Sequence, residues 1–162
     1  MTNADQAPLG GLAGQGAERP FLGAPALVVA KDASDLTMIS WLRSAGLKVS
    51  LSGDFNRAIQ LVLTPGDRFR LLIVEIDDFG GITMVIDALR FLRDSRPDLP
   101  VLLVSHKVAA HDFSVGRLPI CDVTLKAPAS PTAMKEALSE AVSNNLAWQQ
   151  RSAQLHPTGL QS

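Results

Sequence analysis

The chain has 162 residues, 46% of them hydrophobic, and a formal net charge of −1. That length suits one domain with a real core, and the absence of a basic excess or a Lys/Arg cluster argues against nucleic acid or a membrane surface as partner. The lone cysteine, Cys121, excludes an internal disulfide and a cysteine-based zinc site, and no apolar run reaches the ~20 residues that span a bilayer, so a cytoplasmic protein is expected.

Residues 1–24 carry Gly10, Gly11, Gly14, Gly16 and Gly23 with Pro8 and Pro20 and show no hydrophobic period, as in a flexible N-terminal arm. The glycines from Gly11 to Gly16 have no strand before them and no helix after, so they do not make a phosphate loop. A domain over residues 25–148 is expected to follow. Its first strand is Ala26 to Ala30. Ser34 offers a cap to a helix with Leu36, Ile39, Leu42 and Ala45 on one side, closed at Gly46. Leu47 to Leu51 is a short second strand, and Asp54 can cap a helix carrying Ala58, Ile59, Val62 and Leu63, which Pro65-Gly66 ends.

The third strand, Arg70 to Ile76, delivers Glu75 at its end and is followed by Asp77, Asp78 and the pair Gly80-Gly81. An unbroken aliphatic run of this kind suits a strand buried on both faces. A helix over Ile82–Ser95 is predicted next, with Val85, Ile86, Leu89 and Leu92 inward and Arg90, Arg93 and Arg96 outward, stopped by Pro97. Pro100 to Ser105 is a fourth strand, and His106 to Phe113 a weaker helix closed by Gly116. Ile120 to Leu125 is a fifth strand. Ser130-Pro131 then starts a last helix with Met134, Leu138, Ala141 and Val142 inward, and a disordered tail is expected over 149–162. Five strands alternating with five helices predict an α/β fold, a doubly wound parallel sheet.

Glu75, Ser105 and Lys126 each fall at the end of a predicted strand, 30 and 21 positions apart. This (βα)5 order and these strand-end residues resemble the receiver domain of two-component response regulators over residues 26–146. The resemblance implies a sheet order 2-1-3-4-5 and a signalling module rather than an enzyme. It also implies a phosphoacceptor aspartate after the third strand, an acidic pair holding Mg²⁺ after the first, a phosphate-sensing hydroxyl after the fourth, and a lysine after the fifth. Ser105 and Lys126 match the last two. Glu75 stands at the phosphoacceptor position, one methylene longer than aspartate. Ala30 and Lys31 replace the acidic pair and leave Asp32 as the nearby acid, Val123 stands at the aromatic switch position, and Ala127 separates the lysine from its proline.

Mg²⁺ requires hard oxygen ligands, so its binding here is expected to be weak or absent, and a carboxylate displaced by ~1.5 Å is poorly placed for a positioned reaction. We therefore expect a stand-alone pseudo-receiver that acts by phosphorylation-independent protein–protein interaction. Glu75 would be a built-in phosphate surrogate paired with Lys126, with Lys31 as a second cation, or a remnant of an abandoned site ion-paired with Lys31. Expected partners are a histidine kinase, a phosphotransfer protein or another signalling protein, with a homodimer through helix 4, strand 5 and helix 5 of the predicted series. The alternative is a phosphorylatable response regulator using Asp77 or Asp78, residues otherwise read as helix-end charges. A flavodoxin-like cofactor binder lacks its phosphate-cradling loop after the first strand. His106, His111 and His156 have no metal spacing, Cys121 is expected to be a buried, inert thiol, and Trp41 and Trp148 are expected to pack on the core or tail.

Overall fold

The computed structural model describes residues 20–32 and 36–155, and the aliphatic runs set its framework. Pro25–Val29 (β1), Lys48–Ser52 (β2), Leu71–Glu75 (β3), Val101–Ser105 (β4) and Val123–Lys126 (β5) form one parallel sheet in the order β2-β1-β3-β4-β5. The doubly wound α/β fold and its strand order are as expected. β3 and β4 are buried along their whole length, and β1 nearly so, because helices cover both faces; β2 lies at the edge and tolerates Lys48 and Ser50 in solvent.

Strand alternation splits the core in two. Ala26, Val28, Leu71, Ile73, Leu102 and Val104 face Leu36–Ser44 (α1) and Pro131–Leu155 (α4). Leu27, Val29, Leu72, Val74, Val101 and Leu103 face Phe55–Leu63 (α2) and Ile82–Ser95 (α3). Helix ends obey local chemistry: the Asp54 carboxylate accepts from the Arg57 N–H at 3.0 Å at the start of α2. Gly46, at φ +98°, turns the chain out of α1. α3 occupies the range predicted for it.

Between β4 and β5 no helix forms. Residues 106–110 are bends, Asp112 bridges Thr124 in antiparallel fashion, and Val115–Arg117 is a single 3₁₀ turn. The helix expected over His106–Phe113 has only Val108 and Phe113 as large apolar side chains, too little to bury as a stripe. The described residues therefore hold four α-helices where five were expected.

The outward arginine row also breaks. Arg90 is exposed, but Arg93 is fully buried and meets Asp122 with two prongs at 2.8 and 2.6 Å. Its remaining donors reach the carbonyls of Leu118 and Leu99. From α4, Asn144 donates to the carbonyls of Phe113 and Asp122, and Asn145 to Pro97 and the Asp122 carboxylate. The Trp148 indole donates to the Arg93 carbonyl, and its ring lies 5.3 Å from the guanidinium. Arg96 is partly buried and pairs with Asp67 and Asp98. Burial pushes the Asp122 carboxyl above its ordinary range despite Arg93.

α4 itself continues through Leu155, with Ser152 buried, where a tail was expected after Trp148. At the other end, Phe21 and Ala24 are core residues, so the folded chain includes part of the expected arm. Residues 1–19 with their glycines, Ser34 and His156 lie outside the described residues. Trp41 packs half-buried against the core.

Candidate functional site

The loops at the carboxyl edge of the sheet hold the chemistry-bearing residues. After Glu75 the chain enters a 3₁₀ turn, Ile76–Phe79, and Gly80 (φ +92°) and Gly81 (φ +84°) redirect it into α3. The positive φ of Gly80 favours glycine there, and a Cβ would in addition push aside the exposed Met84 side chain, 2.6 Å away. The turn keeps Asp77 and Asp78 out of the first turn of α3, which holds no acid. Instead of acting as helix-end charges, the two carboxylates tie neighbouring loops together. Asp78 accepts from the Lys31 N–H at 2.9 Å, bridging to the loop after β1. Asp77 accepts from the Ser105 hydroxyl at 2.6 Å with one oxygen and from the His106 N–H at 2.8 Å with the other.

Partial burial works to raise the Asp77 carboxyl, but the Ser105 hydroxyl, the His106 N–H and the positive charge of Lys107 together hold it below the usual carboxylate range. Ser105 is itself buried and also accepts from the Lys107 N–H at 3.0 Å. Asp77 is thus the anion on Ser105.

Glu75 is buried at the strand end, opposite Val104, and by strand parity shares a side with Leu71 and Ile73. Ser105 pairs in register with Lys126, and their parity places both on the other side. Lys126 is exposed; its ammonium donates to the Val108 carbonyl at 3.0 Å and its backbone N–H to His111 Nδ1 at 3.0 Å. Among the described residues the Lys126 ammonium is thus seen on the β4–β5 segment, where a pair with Glu75 was expected. Lys31 meets the acids through its backbone N–H on Asp78, its side chain being exposed.

The residues present do not fit Mg²⁺ as the receiver site would hold it. Ala30 offers a methyl and Lys31 an exposed ammonium where the receiver resemblance implies an acidic pair, and one oxygen of Asp78 already accepts a backbone N–H. Among the described residues, no three His, Cys, Asp or Glu side chains gather as around a metal. Val123, at the aromatic switch position, is buried in the core facing α4. Cys121 is buried beside Thr124, and burial pushes its thiol up to about 11. Iodoacetamide at pH 8 should leave it unmodified in the folded protein and alkylate it fully in denaturant; rapid native alkylation would contradict this inert packing.

No protein-family model matches the chain, and no curated protein matches it in sequence. Solved structures do match. A response regulator from Thermotoga maritima aligns at TM-score 0.58 and 18% identity, covering 75% of this chain and 99% of the other. An orphan response regulator of H. pylori aligns at 0.55 and 13%, covering 74% and 98%. A protein of Burkholderia pseudomallei described as pilus assembly-related aligns at 0.55 and 24%, covering 75% and 91%. The chain has the fold of response regulator receiver domains.

Proposed function

We propose that this chain is an atypical receiver module that signals in the cytoplasm through protein–protein contact, without phosphoryl transfer. The observation that carries the reading is the Asp77 carboxylate seated on the Ser105 hydroxyl and the His106 N–H. In receiver domains the strand-end hydroxyl answers to the phosphoryl group; here it already has an anion. Lys126, the matching cation, holds the Val108 carbonyl, so both groups pin the β4–β5 segment. The surrogate role expected of Glu75 therefore passes to Asp77.

Phosphoryl transfer gains most of its catalysis from positioning and from a metal that neutralises developing charge. With Asp77 and Asp78 both bonded across the loops, and no donor set suited to Mg²⁺, the phosphorelay alternative has little to work with. A partner surface built from helix 4, strand 5 and helix 5 is not available in that form, since the segment before β5 is not a helix. The face open to another signalling protein is made from the 106–117 segment, β5 and α4. Among the described residues, no helix is long and apolar enough to cross a membrane.

Incubation with acetyl phosphate and Mg²⁺, followed by intact mass, should return the unmodified chain. A stoichiometric phosphoryl adduct on Glu75, Asp77 or Asp78 would sink this reading.

A further inference from the structure

We propose that His111 is a proton-sensitive clasp for the segment that links β4 to β5. Its Nδ1 accepts the Lys126 backbone N–H at 3.0 Å, and its ring stacks on Phe113 at 5.7 Å with a 6° tilt. A ring nitrogen that accepts a hydrogen bond carries no proton, so the bonded ring is neutral, with its proton on Nε2. Protonation makes both nitrogens donors and sets one N–H against another. The contact is therefore made by the neutral ring and broken in the protonated one. Histidine is the side chain whose charge ordinarily changes between about pH 5 and 8.

The surroundings decide what this loss does. Lys126 is the charged side chain of β5, and its ammonium secures Val108. On the segment itself stand His106, Lys107, Asp112 and Arg117. Asp112 is engaged by the Ser114 hydroxyl and N–H and by Arg117 at 3.4 Å. Those bonds hold its carboxyl low, and Asp77 is likewise held low, so neither acid titrates in the histidine range. α4 reaches the segment through the neutral Asn144, which donates to the Phe113 carbonyl. At its far end the segment is fixed by two backbone bonds between Asp112 and Thr124, of 2.8 and 3.0 Å. Protonating His111 thus loosens residues 109–111 between two fixed points, Val108 on the Lys126 ammonium and Asp112 on Thr124.

The inference stands apart from the proposed function, since it concerns the segment whether or not a partner binds there. The experiment is an amide ¹H–¹⁵N NMR titration of the whole chain from pH 8 to 5, with hydrogen-exchange protection corrected for intrinsic rates. The Lys126 amide is expected to shift with the same midpoint as the His111 ring, and protection at that amide to drop about fivefold, the worth of one neutral hydrogen bond. His111→Asn keeps an acceptor near the Nδ1 position but does not titrate, so its Lys126 amide should stay protected at both ends of the range. His111→Ala should be unprotected throughout. A wild-type Lys126 amide indifferent to His111, or a response that persists in His111→Asn, overturns the proposal.

Discussion

Replacing Arg93 by methionine is expected to cost roughly 3–5 kcal/mol, seen as a lower urea midpoint at an unchanged slope. The cost does not measure how strongly the pair stabilises the fold. It arises because Asp122, fully buried beneath α4, would lose its counter-ion and must either stay charged against only the Val101 N–H and Asn145 or take up a proton in the fold. Burial already outweighs those bonds, since the Asp122 carboxyl lies above its ordinary range with Arg93 in place. A carboxyl raised in the fold takes its proton more readily there than in the unfolded chain. The cost of burying the charge is therefore present at neutral pH and shrinks as the pH falls through that raised range. The double variant Arg93→Met/Asp122→Leu removes both charges and should recover part of the loss, the rest being the Val101 N–H and the Leu99 and Leu118 carbonyls left without partners. A single variant within about 1 kcal/mol of wild type would contradict the account.

Asp77→Ala should cost about 1–3 kcal/mol, because it leaves the buried Ser105 hydroxyl and the His106 N–H without their shared acceptor. Asp77 is partly solvated, which places the effect toward the lower end. Asp77→Asn retains an acceptor oxygen and should lose less. The sign with pH is fixed by the lowered carboxyl: its stabilisation is complete above the ordinary carboxylate value of 3.8 and is lost as the pH falls through the lower folded value. Wild type and Asp77→Ala should therefore converge in strongly acid solution, and an equal gap there would show that the bonds are not charge-assisted. The same variant should free the amides of 106–111 to exchange. If Glu75→Ala did this and Asp77→Ala did not, the surrogate would be Glu75 after all.

Much of the fold was legible because it rests on local periodicity. The aliphatic runs ending in Glu75 and Ser105 suited two-face-buried strands, and the stripe of Val85, Leu89 and Leu92 marked α3. What misled was the same rule applied where tertiary contacts win. Arg93 sits one step outside the apolar stripe, and three-residue spacing alone made it look solvated. Asp122, 29 residues on, together with the Leu118 carbonyl and the Trp148 ring, turns that position inward. The 106–113 stretch lacks the apolar residues to hold a helix, and its backbone is satisfied by Thr124, Lys126 and Asn144, partners remote in sequence.

The sequence by itself determined the parallel α/β sheet, its buried central strands and the placement of Glu75, Ser105 and Lys126 at strand ends, since hydrophobic period and turn residues act over neighbours in the chain. Which of those groups meet was decided by the tertiary structure. Strand register puts Glu75 and Ser105 on opposite sides, and a single 3₁₀ turn swings Asp77 back over β4. Hydrogen bonds are made or lost over about 1 Å, a precision set by three-dimensional packing and not by the spacing of residue types.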